Sequence, residues 1–324
     1  MIYDCFTFFN ELDMLEIRLN VLNGVVDRFV LVEATRTHSN KPKELFFRAN
    51  AARFEKFLHK IDDIVIDDYP AFETAWTYEN HQRNCIKRGL QNCKNDDVIL
   101  ISDLDEIPRP EKILEYRNTP GIKSFEQRMH LYYLNHYCVR QPVWHGTKML
   151  SAEDFRSCLD RVDKEAACCV KSINPGTTAT KIRVFGDGVP VTDGGWHFTF
   201  LGGRERVREK LHAYAHEELN FPAFTDLRNI EKRMRADFDC HRLLGVELDE
   251  TYPEYLRKNQ DRYAHFIGPV TPPDIAERVR KTARRMAQVD RGVELAVKLL
   301  TGLIPVKKWR KHARTFLLTH LYRM

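Results

Sequence analysis

No pair of cysteines in this chain stands at C-x-x-C spacing. The eight cysteines are scattered at 5, 85, 93, 138, 158, 168, 169 and 240, which argues against a zinc ribbon or a dithiol redox motif. Cys168 and Cys169 are adjacent, an awkward arrangement for a disulfide framework, so reduced thiols are expected. No apolar run approaches the roughly 20 residues of a membrane-spanning helix. The longest candidate, VELAVKLLTGLIPV, is interrupted by Lys298. The opening MIYDCFTFFN has no basic n-region and no small-residue cleavage site, so no signal peptide is expected and a cytoplasmic setting is. Low-complexity stretches and repeats of solenoid or propeller period are absent as well. Residues 305–324 contain no acid but carry Lys307, Lys308, Arg310, Lys311, Arg314 and Arg323, so a chain of net charge +5 has a body of about −1 and a basic tail. A near-neutral body argues against a nucleic-acid partner.

What is present is a chain of 324 residues, 43% hydrophobic and 30% charged, long enough to bury a sizeable core. IYDCFTF (2–8) reads as a strand, and ELDMLEIRLNVL (11–22) sets Leu12, Leu15, Leu19 and Leu22 at helical spacing. DRFVLVEA (27–34) is a strand of the kind buried on both faces. NAARFEKFLHKI reads as a helix, DIVIDD as a strand, ETAWTYENHQRNCIKRGLQNC as a long helix and DDVILIS as a fourth strand. That alternation predicts a parallel sheet with helices on both faces. Farther on, SFEQRMHLYYLN, TKIRVFGD and GGWHFTFLGG look strand-like, and RERVREKLHAYAHEEL helical. The Pro-rich GPVTPPD (268–274) marks a boundary, giving a domain 1–267 and a basic helical extension 268–324.

The fourth strand runs into SDLDEIPRP, three carboxylates within four residues: Asp103, Asp105 and Glu106. Ligands of open α/β sheets bind beyond the carboxyl ends of the strands, and a divalent cation makes such crowding tolerable. Oxygen ligands suit Mn²⁺ or Mg²⁺, which usually keep positions for substrate phosphates. The competing reading is an acidic turn that caps the helix RPEKILEYRN. The D-x-D cluster, taken with FNELDMLEIRL, VVDRFVLVEATRTHS, GGWHFTF and YLRKNQDRYAHF, resembles glycosyltransferase family 17 from about Tyr3 to about Phe266. The resemblance implies a type A glycosyltransferase fold, a mostly parallel Rossmann-like sheet with flanking helices. It also implies transfer of N-acetylglucosamine, with inversion, from a UDP-sugar donor to a hydroxyl of a glycan acceptor. Asp103, Asp105 and Glu106 are the expected metal ligands, and Asp103 also a donor contact.

Further positions invite a role. Glu33 ends the second strand at the edge where, in type A folds, an acid meets the nucleoside. Arg83 on the long helix suits a phosphate or pairs with Glu79 one turn earlier; Asn84 follows it. In GGWHF, Trp196 offers a face to an acceptor sugar or belongs to the core, and His197 is a metal ligand or a base. His212 and His216 stand four apart without the inner glutamate of a zinc protease. In register with the family pattern, Glu218 is a candidate general base. A metal-dependent nucleotidyltransferase or phosphohydrolase would share the carboxylate cluster, whereas a glycan-binding module would not need it. The tail, read as a helix from Val306, sets Trp309, Phe316 and Leu317 on one face beside a basic one. That pattern suits an anionic membrane surface and a peripheral place at the inner membrane face, or packing on the domain.

Overall fold

The computed structural model describes residues 1–157, 178–185, 188–213, 220–235 and 243–302. Glu218, His216 and the tail from residue 303 onward lie outside the described residues, as do the side chains of 293–302. Among the described residues no helix is long and apolar enough to cross a membrane.

Four strands form the parallel half of the sheet: β1 (Ile2–Phe8), β2 (Arg28–Ala34), β3 (Ile61–Ile66) and β4 (Val98–Asp103). They lie in the order β3-β2-β1-β4 and all three ladders are parallel. Strand periodicity sorts their side chains between two cores. Phe6, Phe29, Leu31 and Leu100 face helix α1 (Leu12–Leu22), while Cys5, Val30, Val32, Ile99 and Ile101 face the other layer. That layer begins with helix α3 (Ala75–Asn84), which follows the short α2 (Phe46–Ala49) and tightens into 3₁₀ turns over Cys85–Leu90. Gly89 sits in those turns because a Cβ there would stand 2.5 Å from Val30 Cγ1.

Antiparallel strands extend the sheet beyond β4. After β5 (Glu106–Pro108) and helix α4 (Pro110–Tyr116) come β6 (Lys123–Leu131), β7 (His136–Cys138) and β8 (Val143–Ser151). Strand β8 pairs antiparallel with both β4 and β6. Helix α5 (Thr178–Phe185) occupies the stretch that the sequence suggested as a strand. Its β-branched residues favour a strand locally, but Ala179 and Ile182, spaced i,i+3, bury among Ile99 and Leu150, and tertiary packing prevails over propensity. Strand β9 (Val189–Thr199) lies parallel to β6 and antiparallel to β5. Helix α6 (Gly203–Ala213) packs Val207 and Leu211 on Ile230 and Met234 of α7 (Leu227–Met234).

The chain beyond 268 is tied to the sheet. Thr271 and Gly245 of β10 (Leu243–Gly245) exchange two hydrogen bonds, of 2.8 and 2.9 Å. Ala276 and Val279 of α8 (Pro273–Gly302) then pack on Leu244.

Candidate active site

The carboxyl ends of β1, β2 and β4 open into a cleft of about 280 Å³. In the parallel register Thr7 stands beside Asp103 and Phe8 beside Glu33, so both acids flank the end of β1. The loop after β4 is shaped from beneath by Arg18 of α1, whose side chain is fully buried. Its guanidinium donates to the carbonyls of Asp103, Leu104 and Glu106 at 3.0, 3.0 and 2.8 Å. It also pairs with Asp4 at 2.6 Å and donates to Ser102 Oγ at 2.5 Å. Five rigid donors can satisfy that set and an ammonium cannot. The carboxylates do not cap α4, whose first turn begins at Arg109 with no side-chain cap bond.

Each carboxylate of the cluster has its own partners. Arg83 donates at 2.9 Å to both Asp103 Oδ1 and Glu79, so it forms the expected i,i+4 pair and also reaches the cleft. Burial alone would raise the Asp103 carboxyl, but Arg83 and then Arg183 override it and hold it at about 2. Asp105 lies 2.9 Å from Lys210 Nζ of α6 and 3.5 Å from His197 Nε2. Burial again works against its charge, yet Lys210 and His197 keep it far below the usual carboxylate range. Both aspartates line the cleft and are ionised at neutral pH.

Glu106 differs. Its side chain is fully buried. One oxygen accepts from Trp144 Nε1 at 2.6 Å and pairs with Arg183, and the other accepts the Asp103 N–H at 3.0 Å. With both oxygens engaged it supports the loop, and it lines the cleft beside Asp103 and Asp105. Among the described residues no three His, Cys, Asp or Glu side chains converge into a cation cage.

His197 is delivered by β9, where it stands opposite Glu106 in the ladder. The pairing of β9 with β5 needs Gly195: its φ is +138°, and a Cβ there would come within 2.2 Å of the Ile107 carbonyl. The imidazole stacks on Trp144 at 5.0 Å, and its Nδ1 is buried without a hydrogen-bond partner.

Three sequence expectations are placed elsewhere. Glu33 is fully buried. It accepts the N–H groups of Phe46 and Phe47 at 2.6 and 3.1 Å and the Lys43 ammonium at 3.1 Å. It therefore anchors the start of α2 instead of reaching a nucleoside, and Lys43 is the group that lines the cleft. Asn84 accepts from the Thr180 N–H at 3.1 Å, holding α5 and with it Arg183, rather than lining the cleft. Trp196 is only 2% exposed, donates to the Thr251 carbonyl at 3.0 Å and has Arg109 over its ring at 4.5 Å. It has no free face for a sugar and belongs to the core.

Sequence reasoning missed Arg18, Trp144 and Arg183. A signal existed for Arg18: it is one charge on the apolar stripe of α1, between Leu15 and Leu22. Trp144 and Arg183 come from β8 and α5, and no local pattern in the sequence links either to Glu106.

A parallel half-sheet whose carboxyl edge opens into a cleft of ionised aspartates and fixed guanidinium groups defines an α/β protein of the type A glycosyltransferase class. The chain belongs to glycosyltransferase family 17, whose family model matches residues 1–264. It is 31% identical over 134 residues to the human beta-1,4-mannosyl-glycoprotein 4-beta-N-acetylglucosaminyltransferase, covering 38% of this chain and 25% of the relative. The mouse enzyme of the same name is 30% identical, with the same coverage. The chain thus spans about a quarter of the length of the curated relatives it matches. Among solved structures, the galactosyltransferase LgtC with donor and acceptor sugar analogs is 12% identical, with a TM-score of 0.30 over 70% of this chain and 82% of that one. The 2-C-methyl-D-erythritol 4-phosphate cytidylyltransferase of Francisella tularensis is 13% identical, with a TM-score of 0.33 over 59% and 89%.

Proposed function

We propose that this glycosyltransferase moves N-acetylglucosamine from UDP-N-acetylglucosamine to a hydroxyl of a glycan acceptor, with inversion at the anomeric carbon and with Mn²⁺ or Mg²⁺ as cofactor. The observation that carries the reading is the pair Asp103 and Asp105, ionised side by side in one cleft at the carboxyl edge of the parallel strands. Hard oxygen donors of this kind fit a cation bound by one or two carboxylates and completed by substrate phosphates, rather than a closed protein cage. Asp103 and Asp105 would hold such a cation, which would supply charge neutralisation for the departing diphosphate.

The chain's own residues supply the rest. Arg83 and Lys43 face the cleft with their charges, and Arg36 and His38 line the same wall. Arg83 and Lys43 are each fixed by a carboxylate, so little reorganisation is needed when an anionic donor arrives. Arg18 fixes the backbone of the aspartate loop, and Trp144 fixes the plane of His197. The donor sugar and the acceptor class are supported by the family and by the named relatives.

The test is a thermal shift followed by product analysis. UDP should raise the melting temperature more with Mn²⁺ than without, since a ligand that binds only the folded state stabilises it in proportion to its affinity. Arg83→Ala should weaken the shift. Stronger stabilisation by ADP or GDP would sink the donor assignment. Turnover that releases inorganic phosphate or pyrophosphate instead of UDP would place the protein among the phosphohydrolases or nucleotidyltransferases.

A further inference from the structure

A second cavity, of about 330 Å³, adjoins the cleft. The two share a wall made of Glu11, Asp105, Phe200 and Lys210. Beyond that wall the second cavity has Arg53, Glu209 and His265 as polar groups, and the half-buried Phe200 ring on the wall and Leu201 beyond it as apolar ones. Donors, acceptors and ring faces in one hollow are what a sugar requires, with hydroxyls on its edge and C–H groups on its faces. Asp103, Arg83 and His197 line the first cavity and not the second. Of the groups expected to meet the nucleotide diphosphate, Asp103 and Arg83 face only the first cavity and Asp105 faces both.

Glu11 stands between the two. It closes the β1–α1 loop as the residue preceding the first turn of α1. Its Oε1 lies 3.5 Å from Lys210 Nζ, and that same ammonium is 2.9 Å from Asp105 Oδ2. Its side chain is 30% exposed, open enough to receive a proton from a bound hydroxyl. Its Oε2 accepts the Asn10 N–H at 3.2 Å, which orients the carboxylate. His197, another titratable group in the cleft, is turned to Asp105 and stacked on Trp144.

We propose that the second cavity receives the acceptor sugar and that Glu11 is the general base, an inference that rests on the glycosyltransferase reading of the cleft. The acceptor hydroxyl oxygen attacks the anomeric carbon of the donor and forms the new glycosidic bond. The bond from that carbon to the diphosphate oxygen breaks, its electron pair leaves with UDP, and the hydroxyl proton passes to the Glu11 carboxylate. In acceptor-free hydrolysis of the donor a water molecule replaces the hydroxyl and loses its proton to the same group.

The test compares UDP release from UDP-N-acetylglucosamine by the native enzyme and by Glu11→Gln across a range of pH. General bases contribute roughly 10²- to 10⁴-fold. Glu11→Gln should therefore lower kcat by more than about tenfold, leave the donor KM within about threefold and abolish the acidic limb of the kcat profile. Glu11→Asp, which keeps the charge, should recover part of the rate. A kcat within about threefold of native, or a loss confined to KM, overturns the role of Glu11. For the cavity, saturation-transfer NMR with the methyl β-glycosides of glucose, galactose and mannose is run on the protein–UDP–Mg²⁺ complex. Contact should appear in the native protein and vanish in Arg206→Trp, which puts a larger side chain on an exposed residue that lines this cavity; contact that survives, or none with native protein, overturns the assignment. Native protein that turns over a different nucleotide sugar refutes only the donor identity, and the Glu11 comparison is then made on that sugar.

Discussion

At the scale of the residue, the carboxylates of the D-x-D-E cluster divide into two kinds. Both Asp105 and Glu106 line the cleft, but Asp105 has Lys210 and His197 beside it, whereas the fully buried Glu106 side chain holds Arg183, Trp144 and the Asp103 N–H. One neutralising substitution at each position should therefore fail in opposite ways. Asp105→Asn removes a charge from the cleft while Lys210, partly exposed, keeps Glu11 as a partner. Turnover should fall by about a hundredfold or more, the scale of one electrostatic group at a reacting centre, with a loss of stability smaller than at Glu106. Glu106→Gln leaves the Arg183 guanidinium, only 10% exposed, without its nearest carboxylate. A broken buried pair costs about 3 kcal/mol or more, so this variant should be distinctly less stable. Denaturant melts and UDP release measured on both variants decide the matter. Equal stability of the two would mean that Glu106 is no more structural than Asp105.

At the scale of the element, helix α1 does more than cover the sheet. Arg18 on its buried face holds three carbonyl acceptors of the aspartate loop and the Asp4 carboxylate inside β1. Arg18→Met should cost about 3–5 kcal/mol because it strands Asp4 in the core. Arg18→Lys should recover less than half of that, since one ammonium cannot reproduce the planar fork. Full stability in Arg18→Lys would refute the account. The same helix shows what a sequence reveals. Its leucine spacing, like the buried apolar runs of β1, β2 and β4, made the parallel half legible, because those patterns are local and repeat at the period of the element. The aspartates were legible because crowded like charges at the end of a buried strand repel one another unless a cation or a set of donors meets them. Glu33 was read as a ligand because it ends the second strand at the edge of Asp103, Asn84 because it follows Arg83 on the long helix, and Trp196 because of its setting in GGWHF. Their actual partners, the N–H groups of α2, the Thr180 N–H and the Thr251 carbonyl, are 13 to 96 positions away in sequence. No periodicity encodes such pairings, and for the same reason α5 was mistaken for a strand.

At the scale of the whole molecule, the fold buries two imidazoles that its active site does not use. His130 and His136 are both fully buried on adjacent antiparallel strands. His130 has its Nδ1 3.4 Å from the Tyr252 hydroxyl, and its Nε2 lacks a partner. Burial is the main cause that pushes both below the ordinary histidine range, His136 to about 4 and His130 well down. An unfolded histidine accepts its proton near pH 6.5, whereas these two, when folded, do so only at lower pH. Below about pH 6.5 the unfolded chain thus binds more protons than the folded one, and stability must fall as pH falls. The loss should approach two protons, about 2.7 kcal/mol per pH unit, once the solution is well below that value. Asp103 and Asp105 act lower down. Their folded values are depressed, so their contribution is whole above about pH 4 and is lost as pH drops through that range, with Asp103 following down to about 2. Acid unfolding should therefore begin near pH 6, well before the carboxylates titrate. Denaturant midpoints measured from pH 7 to pH 5 should show it, and His136→Asn should flatten the slope by about one proton. An unfolding free energy that stays level from pH 7 to pH 5 would show that the two imidazoles are protonated in the folded chain and that the interior around β6 and β7 admits their charge.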